Sequence, residues 1–457
     1  MRKRLFRNIF MCSCALLTIS NIISIVNANS SGTISKNIES QNFEITRDQA
    51  IEDINYVLQS IKENHVSSVN KIPDEVINQA NLEIKNLKNK INILEQWQIV
   101  SRILTKLHDA HTKVLSPNFL DKRLPFDIKY DIGKIICTTG EFANHEIIDI
   151  NNIPIQELYK IFRECFSHEI EEWAYHNFFE TPVDFIPEWK LVLCGIDTSK
   201  PVKINFKTSS EVKNNYFELI NFQFPSQNST PWVSFEIDKE NDLGIFKLTR
   251  CNVCDEYTNT LEIFFTEIKE NHIKNVVLDL RKNSGGDSRV GNLFASYLKN
   301  ADTFTEGAKD VRIGDELKHY DSRIYKISEN SQDKAFYDGN LFVLTSHGTF
   351  SSAMLVATQI QDSNLGVIVG EVPGNSPTRF GNLVLTEDDN GKVTPKYFKM
   401  PNSQLTFTTT FKKFYRPDST KNNSRLIPDV QVSAKDALCK VYEIIQKQKT
   451  TNSSQNI

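Results

Sequence analysis

Cysteine is scarce and scattered in this chain, which has eight cysteines in 457 residues. Cys12 and Cys14 lie near the start, and the other six are spread too thinly over a long chain to form a disulfide framework. Cys251 and Cys254 make a single C-x-x-C, without the second ligand pair of a zinc site or the surroundings of a redox motif. We therefore expect them to be small residues packed beside a strand, in a fold stabilised by a large hydrophobic core.

Acidic residues are absent before Ala28, and apolar runs long enough to span a bilayer are absent after it. The pattern before Ala28 is typical of a secretory signal peptide: four basic residues, an apolar run at 9–26, and a cleavage site at Val26-Asn27-Ala28. An uncleaved N-terminal anchor is the alternative, but the polar residues within the run favour removal. Both early cysteines lie at the start of the run, which argues against a lipoprotein anchor.

An excess of positive charge is also absent. The formal net charge is −4, and removing residues 1–28, which hold four basic residues and no acidic one, makes it −8. This balance argues against nucleic acid or an anionic membrane as a partner. The richness in Asn, Lys and Ile suggests a bacterial source, and with the signal-peptide pattern it leads us to expect a bacterial protein that is secreted or extracytoplasmic, at the cell surface. No stable membrane insertion is expected after signal cleavage.

Hydrophobic periodicity predicts how the chain is organised. Residues 46–107 have helical spacing, residues 124–236 read as short strands with one helix, and residues 196–230 are polar and are predicted to be loops. From Leu243 onward strands and helices alternate, which predicts an α/β domain with a largely parallel sheet and a closing helix at 434–446. The expected segments are a signal peptide (1–28), a flexible leader (29–44), a helical N-terminal unit (45–118), a cap region (119–238), an α/β core (239–447) and a disordered tail (448–457).

A serine pair stands where a predicted strand, 341–345, turns into a predicted helix, 352–361. The run is Thr349-Phe350-Ser351-Ser352-Ala353. A serine at such a turn is held on a rigid scaffold, close to free N–H groups and to the positive end of a helix, which suits a nucleophile. A Ser/Thr helix cap is the commoner alternative. Ser352 competes with Ser351 for the role of nucleophile.

A glycine loop follows a second buried strand, at 275–280, and ends in Ser284-Gly285-Gly286. Glycine lets backbone N–H groups approach a ligand without a Cβ in the way. Gly285 or Gly286 would then supply one donor of an oxyanion hole, and the N–H of Ser352 the other. An ordinary turn between a strand and a helix is the alternative.

Two histidines lie at the end of the N-terminal helical segment, in His108-Asp109-Ala110-His111-Thr112. Their spacing would let His108 and His111 share one helix face, as metal ligands do. There is no H-E-x-x-H motif, however, and a surface or capping role is the default for such a pair. We therefore predict no metal site from this run.

The three runs, in this order, resemble the C-terminal processing (tail-specific) proteases, serine peptidase family S41. The resemblance extends from about residue 46 to about residue 440. It implies a crotonase-like (ClpP-like) catalytic core with a helical N-terminal unit. It also implies a degenerate PDZ-like or cap region, because residues 148–155 resemble the turn before the PDZ helix. Ser351 takes the place of the family's nucleophile.

One departure from the family pattern is informative. The best-known members use a lysine downstream of the nucleophile, in a Gly-Lys-Gly setting, and this chain has Gly374-Asn375-Ser376-Pro377 there. It resembles instead a histidine-using subgroup, tricorn-like and lantibiotic-cleaving-like, whose base lies in an Asp-x-His-Thr motif. The resemblance therefore implies that His111 is the general base, and a neutral imidazole suits that role near neutral pH.

The group that orients His111 stays open. Members of the subgroup place a glutamate at positions that hold Met354 and Ile427 here. Asp109 and Glu371 are the remaining candidates for the orienting group. For each of them, a purely structural role is the alternative. His347 is an alternative base.

The resemblance thus implies a secreted serine endopeptidase that hydrolyses extended or unfolded polypeptides through a Ser/His mechanism, without a metal or an organic cofactor. The first alternative is a catalytically weak peptide-binding or sensor protein on the same scaffold. An acyl-transfer or hydrolase enzyme on a crotonase-like scaffold is the second, and a metalloprotease the third. The sequence does not define the oligomeric state.

Overall fold

The computed structural model describes residues 43–180, 183–222, 231–299, 303–324, 336–388 and 391–455. The expected signal peptide, 1–28, and nearly all of the expected leader, 29–44, lie outside these ranges. Within them, no helix combines the length and apolar character needed to cross a membrane. The six cysteines in these ranges are unpaired.

Most helices of the described residues lie close to where the periodicity predicts them, but the region 124–236, in which one helix was expected, contains three among its described residues. Thr46 and Gln49 form a capping box at the start of the first helix, and Asn92 and Glu95 form one at the start of the third. The α-helices are α1 (Arg47–Asn64), α2 (Asp74–Asn86), α3 (Ile93–Thr105), α4 (Ile155–Cys165), α5 (Glu171–Phe179), α6 (Glu188–Leu193), α7 (Asp255–Glu270), α8 (Arg289–Ala295), α9 (Ser352–Asp362) and α10 (Ala437–Gln455).

The strands of the described residues are short, from two to six residues long. They are β1 (Glu44–Thr46), β2 (Lys90–Asn92), β3 (Lys113–Val114), β4 (Lys122–Arg123), β5 (Ile128–Asp131), β6 (Lys134–Cys137), β7 (Glu146–Ile150), β8 (Ile153–Pro154), β9 (Val202–Lys207), β10 (Val212–Phe217), β11 (Ile220–Asn221), β12 (Val233–Asp238), β13 (Leu243–Leu248), β14 (Asn275–Asp279), β15 (Thr305–Glu306), β16 (Lys309–Ile313), β17 (Glu316–Tyr320), β18 (Arg323–Ile324), β19 (Asn340–Thr345), β20 (Val367–Gly370), β21 (Arg379–Leu383), β22 (Leu385–Glu387), β23 (Val393–Pro395), β24 (Phe398–Lys399), β25 (Thr406–Thr408), β26 (Thr410–Phe414) and β27 (Val430–Gln431).

A six-stranded sheet in the order β12-β13-β14-β19-β20-β27 forms the centre of the C-terminal half. All its pairs are parallel except β12 with β13. Successive side chains along each strand point to opposite faces of the sheet, and hydrophobic residues pack on both faces. Phe246 and Leu278 pack under α7, α8 and α9, whereas Ile245 and Val277 pack against α10. The prediction of an α/β fold is confirmed, because a parallel sheet needs helices on both faces.

A second hydrophobic core unites the N-terminal half. It contains residues of α1 to α6, of the antiparallel strands β5, β6, β7 and β9, and of the segment 398–407. The expected helical unit and cap region therefore share one core, and a late segment of the chain packs into it. Strand β25, from this late segment, pairs with β3.

Two expectations about local structure are corrected. The predicted loop at 196–230 contains β9, β10 and β11, because Val202, Ile204 and Phe206 alternate inward and pair β9 with β7. The last helix begins at Ala437 and continues to Gln455, through most of the expected disordered tail, because no glycine or proline interrupts it.

Candidate active site

Ser351 lies between β19 and α9 in a strained backbone conformation. Its φ is 54° and its ψ is −119°, a combination that costs a non-glycine residue about 1–3 kcal/mol and is found mainly at functional sites. Ser351 occupies the N-cap position of α9, but its side chain makes no capping hydrogen bond. Its Oγ lies 3.1 Å from Nε2 of His111. Oγ of Ser352 instead donates a hydrogen bond to the Gly286 carbonyl, at 2.6 Å.

His111 reaches Ser351 through a strand pairing that joins distant parts of the chain. Strand β3 follows the histidine directly and pairs with β25 of the C-terminal half. The hydroxyl of Thr408, in β25, donates a hydrogen bond of 2.9 Å to the His111 carbonyl. The ring of His111 also lies against Phe350, with centroids 5.1 Å apart. Residues separated by 240 positions are thereby brought into hydrogen-bonding distance.

Asp109 is fully buried beside His111 and organises this turn. Its Oδ1 accepts the backbone N–H of His111 at 2.8 Å, and its Oδ2 accepts the hydroxyls of Thr112 at 2.6 Å and Thr410 at 2.7 Å. Nε2 of His65 lies 3.3 Å from the same Oδ2. Burial would raise the pKa of Asp109, but the His111 and His65 side chains outweigh burial and hold the pKa well below its ordinary value.

Nδ1 of His111 lies 3.7 Å from Oδ1 of Asp109, which is too long for a hydrogen bond. It is buried and has no hydrogen-bond partner within the described ranges. His111, Asp109 and Glu169 form a close group of three. One ring nitrogen or carboxylate oxygen of each lies within 4.8 Å of those of the other two. The Asp109 carboxylate thus lies beside the ring nitrogen that does not contact Ser351.

Glu169 was not anticipated from the sequence. Burial, followed by repulsion from Asp109, raises the pKa of Glu169 to about 8. Its Oε2 accepts hydrogen bonds from Nδ2 of Asn375 at 2.9 Å and from the backbone N–H of Ser376 at 3.1 Å. The Oδ1 of Asn375 in turn accepts the backbone N–H of Ser351. The sequence signal that could have pointed to this contact is Asn375, because it stands where the lysine-using members of the family have their lysine.

The glycine loop packs directly against the serine turn. A Cβ on Gly285 would lie 2.6 Å from Cβ of Ser351 and 3.0 Å from the backbone nitrogen of Ser352, so only glycine fits there. The N–H of Gly285 is donated to Oδ1 of Asn283 at 2.9 Å. The N–H groups of Gly286 and Ser352 have no hydrogen-bond partner in the part of the chain that the structure describes. Cys251, of the C-x-x-C run, donates its backbone N–H to the Gly285 carbonyl, as a structural residue would.

Three other residues singled out by sequence lie away from the Ser351–His111 pair. Glu371 and His347 contact each other and Glu180 rather than His111. His108 is exposed, has a positive φ and contacts Glu75. It lies beyond the end of α3, so His108 and His111 do not share a helix face.

A cavity of ≈ 80 Å³ lies beside His111 and Phe350. Most of its lining is apolar and includes Trp97 and Trp173, and Trp173 stacks on Phe350 with centroids 3.9 Å apart. Lys113 also belongs to the lining, and burial lowers the pKa of its ammonium. The cavity has the composition of a pocket for a mainly apolar group next to the serine.

A serine at a strained strand-to-helix turn, facing an imidazole across an α/β scaffold, is the arrangement of the serine hydrolases. Residues 242–432 match the model of peptidase family S41. The curated C-terminal processing peptidase of the chloroplast of Tetradesmus obliquus is 31% identical over 132 residues, which are 29% of this chain and 26% of that protein. The chain thus aligns with about a quarter of that relative's length.

Solved structures show the same fold at low sequence identity. Mature CPAF in complex with lactacystin superposes with a TM-score of 0.59 at 11% identity, covering 89% of this chain and 98% of CPAF. Mature CPAF alone gives a TM-score of 0.57 at 11% identity, covering 88% and 96%. The match identifies residues 242–432 as a segment of peptidase family S41, a family of serine peptidases. The resemblance seen in the sequence is confirmed.

Proposed function

We propose that this chain is a secreted serine endopeptidase that hydrolyses peptide bonds in extended or unfolded polypeptides. The observation that carries the proposal is the 3.1 Å approach of His111 Nε2 to Ser351 Oγ, at a residue with a strained backbone. The strain supports a functional role, because a simple helix cap would need neither a positive φ nor a histidine partner. The processing activity in the name of the algal relative agrees with this reaction class.

In the proposed reaction, His111 takes the hydroxyl proton of Ser351 while Oγ attacks the peptide carbonyl carbon. The resulting oxyanion accepts hydrogen bonds from the N–H groups of Ser352 and Gly286. The imidazolium then gives its proton to the leaving amine, and an acyl-enzyme remains. Water, deprotonated by the same imidazole, hydrolyses the ester and restores the serine. Gly285 contributes the space beside these donors rather than a donor, since its N–H is already bound to Asn283.

Asp109 is the proposed positioning residue for His111. It holds the histidine backbone, and its negative charge 3.7 Å from Nδ1 stabilises the imidazolium that forms during attack. Glu371, the other candidate from the sequence, contacts His347 and the backbone of Ala434 instead. Its proposed role is therefore structural.

We also propose that the region 119–238, as far as the structure describes it, forms a degenerate PDZ-like cap over a crotonase-like core. The contact of Trp173, from α5, with Phe350 supports a cap that closes over the site. The mainly apolar cavity beside His111 would accept an apolar substrate side chain. Secretion rests on the signal-peptide pattern of residues 1–28.

The test compares wild type with Ser351→Ala on a permanently unfolded protein substrate. Ser209→Ala, an exposed serine in the β9–β10 hairpin, is the matched control. We expect cleavage by wild type and by the control, and none by Ser351→Ala. Equal cleavage by Ser351→Ala would overturn the assignment of the nucleophile. Binding of the unfolded substrate without any turnover by wild type would instead favour the peptide-binding alternative. Lactacystin, the ligand in the CPAF structure, is a suitable probe for labelling of Ser351.

A further inference from the structure

A second cluster of titratable side chains lies apart from the Ser351–His111 pair. His176 belongs to α5, and Glu180 follows that helix. His347 lies in the turn between β19 and α9, and Glu371 follows β20 directly. The cluster therefore joins the middle region of the chain to the turn that carries Ser351.

The donor atoms of the cluster are close together. Nδ1 of His347 lies 3.0 Å from Oε2 of Glu180 and 3.8 Å from Oε2 of Glu371. Nδ1 of His176 lies 3.4 Å from the same oxygen of Glu180. One ligand-type atom from each of Glu180, His347 and Glu371 lies within 4.8 Å of the other two. A tetrahedral ion with bonds of about 2.0–2.2 Å holds its ligand atoms about 3.3–3.6 Å apart. The separations of His347 from the two glutamates, 3.0 and 3.8 Å, lie on either side of this value, and His176 adjoins the group through Glu180, at 3.4 Å.

The charges of the cluster also suit a divalent cation. Within the described ranges, neither Glu180 nor Glu371 forms an ion pair with lysine or arginine, and histidines are their ionic partners. A single imidazolium at His347 would leave one carboxylate charge unbalanced, whereas a divalent ion with two neutral imidazoles and two carboxylates is neutral overall. The side chains are between 16% and 31% exposed, so an ion from solvent can reach them.

The backbone next to the cluster is arranged around these side chains. A Cβ on Gly348 would lie 2.8 Å from Cε1 of His176, so the glycine permits the imidazole to pack on the serine turn. Oε1 of Glu371 accepts the N–H of Ala434 at 2.8 Å, and its Oε2 accepts the backbone N–H of His347 at 3.4 Å, which holds that oxygen 3.8 Å from Nδ1 of the same histidine. Second contacts of this kind orient ligands in metal sites.

We propose that His176, Glu180, His347 and Glu371 bind one divalent transition-metal ion, with Zn²⁺ the best match to two nitrogen and two oxygen donors. The ion ties α5 to the turn that carries Ser351 and stabilises their packing. It takes no part in the chemistry of the serine. The proposal is independent of peptidase activity, since it concerns a different set of side chains.

The test uses the full chain, freed of metal by a chelator and titrated with Zn²⁺ in a calorimeter. We expect one saturable site per chain, a rise in Tm on binding, and visible absorption bands of a four-coordinate ion when Co²⁺ replaces Zn²⁺. Glu180→Gln and His347→Gln should each weaken Zn²⁺ binding at least about tenfold. Glu180→Gln keeps a hydrogen-bonding side chain of equal size, and a far-ultraviolet circular dichroism spectrum checks that it folds.

The matched control is His319→Gln. His319 also contacts two carboxylates, Asp310 and Asp321, but through opposite ring nitrogens, so the three groups cannot share one ion. This variant should bind Zn²⁺ like wild type. The absence of saturable binding to wild type would overturn the proposal. So would unchanged affinity in both cluster variants, or a loss of binding in His111→Gln alone, which would place the ion beside Asp109 and Glu169.

Discussion

The side-chain carbonyl of Asn375 accepts the backbone N–H of Ser351. The same amide donates to Glu169, so a fully buried asparagine connects the serine turn to a half-buried carboxyl group of the middle region. In the lysine-using members of the family, a lysine is expected at this place in the chain. Here Asn375 instead binds the backbone of the serine, and the proposed proton acceptor is His111, whose Nε2 lies 3.1 Å from Oγ.

Replacing Asn375 should therefore damage both stability and turnover. Asn375→Ala leaves the Ser351 N–H and one oxygen of Glu169 without this partner, and an unsatisfied buried group costs about 1–3 kcal/mol. We expect a loss of that order in the free energy of unfolding, measured by urea denaturation, together with a fall in kcat. Asn422→Ala, in an exposed turn, is the control and should change kcat little. An Asn375→Ala variant with the stability and the kcat of wild type would show that the hydrogen bonds of Asn375 contribute to neither.

The identity of the base is tested by comparing two histidine variants. His111→Ala should lower kcat by about 10²–10⁴-fold, because proton transfer from Ser351 loses its acceptor. His347→Ala should retain turnover, since His347 contacts Glu180 and Glu371 rather than the serine. Both variants are assayed with a chelator present, so that the proposed metal site contributes to neither rate. Retained turnover in His111→Ala, with loss in His347→Ala, would move the base to the other cluster.

The glycine loop should not tolerate a side chain at Gly285. Gly285→Ala places a Cβ 2.6 Å from Cβ of Ser351 and 2.9 Å from the Phe350 carbonyl, at a φ of 103°. We expect a loss of about 1–3 kcal/mol in the free energy of unfolding from the strain alone, and a large fall in kcat because the serine turn must move. Gly140→Ala is the matched control, because Gly140 also has a positive φ, 76°, but no atom lies within 4 Å of its Cβ position. Similar kcat values for the two variants would contradict the proposed crowding.

The buried Glu169 should make stability depend on pH. Its pKa is raised from 4.5 to about 8, so between these values the folded chain keeps a proton that the unfolded chain loses. The free energy of unfolding contributed by this group therefore falls as the pH rises through that window, and is constant above it. Glu169→Gln carries no titrating proton, so its stability relative to wild type should rise from about pH 5 to about pH 8.

Urea denaturation at several pH values measures this difference. Glu218→Gln, at an exposed position, should give a curve parallel to that of wild type. A curve for Glu169→Gln that is also parallel to wild type would show that Glu169 is ionised in the folded protein across this window.

Local sequence determined most of the elements and part of the site. The capping groups at Thr46 and Asn92, the apolar periodicity of α7 and the continuous apolar run of β14 act over a few residues, so their helices and strands could be predicted. The serine turn and the glycine loop are also short-range features. By contrast, β9 lies in a polar stretch and exists because β7 pairs with it, which local propensity does not reveal.

The sequence by itself therefore determined the α/β class, the family, and Ser351 and His111 as the residues to examine. Only the tertiary structure brought these two side chains to 3.1 Å, through the pairing of β3 with β25. It also placed Glu169 and Asn375 behind the serine turn and drew Glu371 toward His347 instead of His111. The physical reason is that hydrogen bonds and charge contacts act over a few ångströms in space, whatever the separation along the chain.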